Sequence, residues 1–188
     1  MQIIAGSARR IKLNTPPTLE VRPTAGRARE ALFSALGDLS GIKIVDLCAG
    51  SGALGLEAAS RGAGQITFVE LSKEHIKYIQ ENICKVQKAG CRSEFKVLMG
   101  DVSSGFWCQG EKPEIIFSDP PYAESAKIFR KLLSNDNFLR YCAGSLLIWE
   151  IPDYKGALGE FIGEGFPYNE IRKFGGVNFL FMEFAPLE

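Results

Sequence analysis

The 188-residue chain has one histidine and no Cys-x-x-Cys pair, and no apolar run in it approaches a membrane span. Each shortage excludes something. The five cysteines, Cys48, Cys84, Cys91, Cys108 and Cys142, are odd in number and dispersed. That usage fits reduced thiols in a cytosol and argues against a disulfide framework or a zinc site. No metal is expected. A spanning helix needs roughly 20 apolar residues, which the sequence nowhere supplies, and "MQIIAGSARRIK" sets too short an apolar stretch before its charges for a secretory signal. The expectation is a cytoplasmic, monomeric chain with no membrane contact. Repeats, low-complexity tracts and linkers are also missing, so one domain is expected over 1–188. Net charge is absent too, with 22 Lys+Arg against 22 Asp+Glu, but it is unevenly spread. Residues 1–30 hold six Arg/Lys and two Asp/Glu, whereas residues 101–188 hold eight and thirteen. A basic arm precedes a neutral-to-acidic body, a weak nucleic-acid signal when taken alone.

Apolar strands alternating with helical stretches are abundant. "KIVDLC" (43–48), "QITFVE" (65–70), "EFKVLMGD" (94–101), "EIIFSD" (114–119) and "GSLLIWEI" (144–151) read as strands. "ALGLEAASRG", "SKEHIKYIQENICKVQKAG" and "SAKIFRKLL" read as helices, with Ser72 as an N-cap and Gly62 and Gly90 as stops. "NEIRKFGGVNFLFMEF" reads as a hairpin turning at Gly175-Gly176. This is an α/β chain: a mostly parallel seven-stranded sheet with helices on both faces and an antiparallel hairpin at the end. Ahead of this core (41–188), residues 1–40 form an extension. It comprises a small hairpin through Gly6-Ser7 and a helix from Pro23 whose Ala28, Ala31, Leu32, Ala35 and Leu36 share a face. Arg22, Arg27 and Arg29 cluster at that helix's positive end, where cations are disfavoured unless an anion joins them. The lone His75 reads as a surface residue, and Trp107 and Trp149 as core.

"DLCAGSGALGLE" puts Gly50, Ser51, Gly52 and Gly55 between a strand and a helix, satisfying G-x-G-x-x-G. Glycines let a ligand approach the backbone, and the helix N-terminus offers free N–H groups. Glu70 ends the next strand, where an acid can hold both hydroxyls of a ribose. Two further acids argue against a dinucleotide. Asp46, inside the first strand, would repel a pyrophosphate but satisfy an ammonium group. Asp101, at the end of the third strand, can accept from an adenine amine. An amino-acid tail, a ribose and an adenine in that order describe S-adenosylmethionine. One acid at a strand end is commonly a cap or turn residue. Three on successive carboxyl ends mark the ligand-binding edge of an open sheet.

The fourth strand delivers Asp119-Pro120-Pro121-Tyr122 to the same edge. Taken alone, two prolines after a strand are turn punctuation. Beside a methyl donor they acquire a second meaning. The lone pair of a base's exocyclic amine is conjugated into the ring, so the amine is a poor nucleophile. Asp119 and the Pro120 carbonyl can each accept one of its N–H groups and turn the lone pair outward. The prolines fix φ, and Tyr122 offers a stacking face.

With those residues in place, "IIAGSARRIKL", "RPTAGRAREALFSAL", "DLCAGSGALGLEAASRGA" and "FSDPPY", in this order, resemble the RsmD family of class I S-adenosylmethionine-dependent methyltransferases. D-P-P-Y alone is shared with DNA amino-methyltransferases, whereas the first three blocks together are far more specific. The resemblance covers nearly the whole chain. It implies the Rossmann-like class I methyltransferase fold and methylation of N2 of guanine 966 in 16S rRNA, within the small ribosomal subunit or its assembly particle. S-adenosylhomocysteine would be the product. It places Asp46, Ala49, Gly50 and Gly52 around the methionine part, Glu70 at the ribose and Asp101 at the adenine, with Ser51, Leu71 and Val102 also among the cofactor-binding residues. Asp119, Pro120, Pro121 and Tyr122 would hold the base. Arg9, Arg10, Arg22, Thr24, Arg27 and Arg29 would meet RNA or close over the cofactor. The chain departs from the family's habit at Gly26, where an aspartate is common, and in a hairpin less rich in glycine and arginine.

Three other readings compete with this one. A DNA adenine or cytosine amino-methyltransferase would need a target-recognition domain, for which the chain is short. An NAD-binding oxidoreductase would need a hydride-transfer acid/base, such as Tyr-x-x-x-Lys, which is not evident. A catalytically dead RNA-binding module fits poorly with an intact Asp119-Pro120-Pro121-Tyr122.

Overall fold

Seven strands form one sheet in the order β3-β2-β1-β4-β5-β7-β6. The computed structural model describes residues 1–17, 23–151, 161 and 169–186. In chain order the elements are α1 (Pro23–Leu36), β1 (Lys43–Leu47), α2 (Ala53–Ser60), β2 (Gln65–Glu70), α3 (Lys73–Lys88), β3 (Glu94–Met99) and a 3-10 turn (Val102–Ser104). Then follow β4 (Ile115–Ser118), α4 (Tyr122–Leu133), α5 (Asp136–Tyr141), β5 (Leu146–Ile151), β6 (Asn169–Phe174) and β7 (Val177–Glu183). β1 to β5 are mutually parallel, and β7 runs antiparallel between β5 and β6. The chain leaves β1 towards β2 and later returns on its other side through β4, so a crevice opens at the carboxyl ends of β1 and β4. That reversal is where ligands bind in sheets of this kind.

Two apolar clusters cover the two faces, and strand parity decides which residue joins which. Ile44, Ile115, Phe117, Ile148, Phe179 and Phe181 pack with residues of α1, α2 and α3. Val45, Leu47, Ile116, Leu147 and Trp149 pack with those of α4 and α5. Burial on both sides explains why these strands read as unbroken apolar runs. Trp107 and Trp149 lie in the core as expected, each indole N–H satisfied by Val102 O and Ser125 Oγ respectively.

The amino-terminal segment is thinner in regular structure than expected. The hairpin has one bridge pair, Gln2 with Lys12. It is held instead by side chains of the core. The buried Glu57 of α2 accepts from Ile4 N (2.8 Å) and Ala5 N (3.1 Å), and Ser60 Oγ accepts from Ala8 N at 2.9 Å. Gly6 has φ 81°, and a Cβ there would lie 1.7 Å from the Ser60 carbonyl oxygen, so only glycine lets the turn sit this close to α2. Ile3, Leu13, Ala28, Leu32 and Phe33 join the same cluster as Ile44 and Phe68. The extension is therefore packed into the body rather than appended to it.

α4 begins at Tyr122, three residues before the "SAKIFRKLL" pattern, because Pro121 (φ −53°) supplies a helix-compatible start. α5 was not apparent from the sequence. It is a six-residue helix whose Asn135 cap accepts from Asn137 N and Phe138 N, too short for a periodic pattern to show.

Candidate active site

The parallel register brings the sequence-marked acids to one edge. Leu47 pairs with Ser118, so Cys48 and Asp119 are the next residues beyond the ladder on adjacent strands. Glu70 ends β2 opposite Met99, which puts Asp101 just past the end of β3. Asp46, Glu70, Asp101 and Asp119 thus lie along the carboxyl ends of β1 to β4.

Asp46 is buried, and its Oδ2 accepts from Gly55 N at 2.9 Å, one of the otherwise unpaired amides at the start of α2. Burial, and beyond it the charge of Glu70, raises its pKa to about 8, while the Gly55 hydrogen bond opposes the rise. Its Oδ1 receives no hydrogen bond from the described residues. A cation placed there would restore the ionised form. Glu70 is also buried. Its Oε2 accepts from Gly50 N (2.8 Å) and its Oε1 from Ser72 N (2.9 Å), tying the glycine loop to the end of β2. His75, expected as a bystander, lies with Nδ1 3.5 Å from Glu70 Oε1. Asp101 is exposed. Its Oδ1 caps the 3-10 turn through Ser103 N (2.8 Å) and Ser103 Oγ (2.7 Å), and that pairing, opposed by partial burial, lowers its pKa.

Between these acids the backbone turns sharply. Cys48, Gly50 and Gly52 have φ of 55°, 57° and 77°. Positive φ at the non-glycine Cys48 is a strained position of the kind concentrated at functional sites. Its thiol is pushed to about 12, by burial first and then by the surrounding carboxylates, and so stays neutral. Ala49, Ser51 and Gly52 are buried and Gly50 half-buried. A side chain at Gly52 would crowd Phe68 (3.2 Å) and Leu56 (3.3 Å). Beside the turn, Leu71 and Met99 are exposed, and Phe106 lies over Gly100. Val102 is buried, so only its backbone can face a ligand.

The Asp-Pro-Pro-Tyr stretch occupies the mouth of the β1/β4 crevice. Asp119 reaches solvent as a residue, yet protein crowds its carboxyl. That crowding, then Glu150, then Asp46, drives its pKa well above the carboxylate range. Pro120 is a buried residue and its carbonyl accepts no hydrogen bond from the described residues, whereas that of Pro121 accepts from Glu124 N at 3.0 Å. Tyr122 is 45% exposed, and its hydroxyl donates to Glu150 Oε1 at 2.9 Å, carrying the ring across from α4 to β5. Sequence reasoning missed Glu150. The only signal was a carboxylate closing the apolar run "LLIW", the same signature that marked Glu70.

The arginines separate into different roles. Arg9, Arg10 and Arg27 are exposed. Arg29 departs from the expected RNA-binding role: it is buried, its Nη2 donates to Gln2 O at 2.6 Å, and its Nε lies 3.8 Å from the buried Glu57. It holds the hairpin to α1 and cannot meet a phosphate from there. Burial lowers its pKa, with Glu57 opposing and Arg61 adding to the shift. Arg22 lies outside the described residues, as does the side chain of Thr24. Among the described residues no group of three His, Cys, Asp or Glu side chains is placed to hold a metal.

Comparisons with known proteins bear on the family and the fold. Residues 1–163 match the family model described as conserved hypothetical protein 95. The chain belongs to this family, the RsmD family. Ribosomal RNA small subunit methyltransferase D of Haemophilus influenzae is 34% identical over 148 residues, 74% of each chain. The Escherichia coli protein of the same name is 34% identical over 123 residues, 65% of this chain, and the match spans 60% of that relative's length. Among solved structures, a hypothetical protein of Thermus thermophilus superposes with TM-score 0.73 at 28% identity, covering 97% of this chain and 99% of its own. A Pyrococcus furiosus methyltransferase, 17% identical with TM-score 0.66 over 93% of this chain and 89% of its own, shares the fold. The Rossmann-like class I methyltransferase fold expected from the sequence is the observed one.

Proposed function

We propose that this RsmD-family chain is an S-adenosylmethionine-dependent rRNA methyltransferase that modifies N2 of guanine 966 of 16S rRNA, acting as a cytoplasmic monomer on the small subunit or its assembly particle. One observation carries the reading. Asp119 and the Pro120 carbonyl, which accepts from none of the described residues, stand as two acceptors at the crevice mouth, directly beyond the row Asp46, Glu70 and Asp101. The relatives named small subunit methyltransferase D support the substrate class.

The residues fit the cofactor. The unshared Oδ1 of Asp46 suits an ammonium group, Glu70 suits a ribose, and the exposed Asp101, whose Oδ2 lies 4.0 Å from Lys131 Nζ, suits an adenine amine. The positive-φ turn at Gly50 and Gly52 lets the backbone approach without side chains. When bound, S-adenosylmethionine supplies an electrophilic methyl group. Everything else is positioning. Asp119 and Pro120 O accept the two N–H groups of the amine and aim its lone pair into the crevice. In its carboxylate form Asp119 also stabilises the positive charge that develops on that nitrogen and takes the proton the methylated amine sheds, the thioether leaving with the sulfur's electron pair. Tyr122, tethered at its hydroxyl, presents a ring face to the base.

The deciding experiment is mass spectrometry of 16S rRNA from cells lacking the gene, with purified protein added back to their small subunits. N2-methylguanine should vanish at position 966 in the first sample and return in the second. Its persistence in the deletion strain would refute the assignment.

A further inference from the structure

Glu150 has no place in the scheme so far, yet it sits against both base-holding side chains. Ser118 and Trp149 are register partners on β4 and β5, so Asp119 and Glu150 are neighbours at the next position. Strand parity puts Asp46, Asp119 and Glu150 on one face of the sheet, the face shared by Ile44, Phe117 and Ile148. Glu150 is half-buried, and its Oε1 accepts from Tyr122 Oη at 2.9 Å. Two carboxyl groups side by side are costly unless donors separate them. Crowding by the protein, then Glu150, then Asp46 raise the Asp119 carboxyl well above the ordinary carboxylate range; Glu150 is also its hydrogen-bond partner, and Phe179 of β7 is the apolar neighbour of Glu150.

Guanine presents two adjacent donors on its Watson–Crick edge, the ring N1–H and the exocyclic N2–H. Adenine presents a donor beside the bare acceptor N1. A pair of adjacent acceptors complements the first and repels the second. We propose that Glu150 is the base-recognition residue of this site, accepting guanine N1–H while the neighbouring Asp119 accepts N2–H. The inference rests on the guanine-N2 reading above and supplies its specificity. Tyr122 then has two tasks: its ring stacks on the base and its hydroxyl fixes the rotamer of Glu150. Adenine, and any base with an unprotonated N1, leaves Glu150 facing a lone pair.

2-Aminopurine tests this directly, because it keeps the exocyclic 2-amine and lacks only N1–H and the 6-oxygen. Small subunits are reconstituted with 16S rRNA carrying guanine or 2-aminopurine at the target position. They are assayed across a pH series, and the two bases are compared at each pH. Wild-type enzyme should favour guanine in kcat/KM by roughly 10- to 100-fold, the effect of one hydrogen bond to a charged group. Glu150→Gln, whose amide can donate to N1 or accept from N1–H, should bring the two substrates within about 3-fold of each other. Its affinity for S-adenosylmethionine, measured by calorimetry, should be unchanged. Equal use of both bases by the wild-type enzyme would overturn the inference without any variant, so the result stands even if Glu150→Gln fails to fold. A cofactor-competent Glu150→Gln that keeps the wild-type preference would overturn it as well. The guanine reading is judged separately: a product other than N2-methylguanine from unmodified small subunits removes that reading and this inference together, whereas N2-methylguanine made without regard to N1 removes only the inference.

Discussion

At the scale of single residues, the site is a row of carboxylates whose protonation the fold has set apart. Asp46 is the extreme. Its pKa of about 8 stands above its ordinary 3.8. The unfolded chain therefore ionises first, and the unliganded fold loses stability as pH rises from the ordinary carboxylate range to about 8. Asp46→Asn removes that penalty and keeps an oxygen for Gly55 N–H. It should raise the melting temperature of the unliganded protein at pH 8 while weakening cofactor binding by roughly 1.5–3 kcal/mol. A lowered melting temperature, or unaltered affinity, would show that Asp46 does not face the cofactor's charged group. In the wild type at pH 7, cofactor binding should release nearly one proton, read from calorimetry in buffers of different ionisation heat. Asp119 should behave oppositely if it holds the base, as proposed. Asp119→Ala should bind cofactor as the wild type does and lose roughly 100- to 1,000-fold in turnover, the usual cost of removing one preorganised group from a developing charge. Wild-type turnover in that variant would refute the mechanism.

At the scale of elements, the sheet and its ligand edge were legible, because short unbroken apolar runs and glycine stops are local signals. All five parallel strands and the closing hairpin exist where "KIVDLC", "QITFVE" and their counterparts placed them, β1, β3, β4 and β5 being one or two residues shorter than expected. What escaped reading was contact between distant elements. Arg29 looked like part of a basic cluster, and only folding shows that Glu57, 28 positions on, neutralises it within the core. Glu150 gained meaning only once β5 was seen beside β4. The docking of the amino-terminal hairpin on α2 is likewise non-local, and it depends on Gly6. Gly6→Ala combines positive φ with a Cβ overlapping the Ser60 carbonyl. It should detach the hairpin without unfolding the sheet, so that hydrogen exchange speeds up at Ile4, Ala5 and Ala8 while β1 and β4 amides stay protected. Uniformly faster exchange would mean that the hairpin and sheet fold as one unit. Glu57→Gln should cost more, about 3–5 kcal/mol of global stability, because it leaves the buried Arg29 without its counter-charge.

At the scale of the whole molecule, the ligand edge is acidic and would repel an RNA backbone, so the proposed function assigns the grip to the exposed arginines. The fold sets them at two distances from the base. Ser7 N donates to Ser60 O at 2.8 Å, which puts the hairpin turn with Arg9 and Arg10 at the far end of α2. α2 spans eight residues, a length of about 12 Å away from the glycine loop. Arg27 is different. The β6–β7 turn lies at the carboxyl edge, because β7 runs antiparallel to β5 and pairs Asn178 with Ile151. A Cβ at Gly175 in that turn would lie 3.1 Å from the Arg27 carbonyl carbon and 2.7 Å from Ala28 N, so the start of α1 stands at the same edge as Tyr122 and Glu150. Under the proposed function, Arg9 and Arg10 would hold phosphates remote from the target nucleotide, and Arg27 those beside it. Replacing Arg9 and Arg10 together by alanine should weaken binding to small subunits and lower the slope of log K against log salt by roughly 1–2 units, at about 0.7–0.9 for each phosphate no longer neutralised. Turnover at saturating substrate should be unaffected. Arg27→Ala should reduce turnover as well as binding, since a loosened backbone next to the flipped base no longer presents the amine squarely. The measurements are particle binding across a salt series and single-turnover methylation. A wild-type salt slope in the Arg9/Arg10 variant would assign the hairpin a purely structural role and leave the RNA grip to the body of the sheet domain.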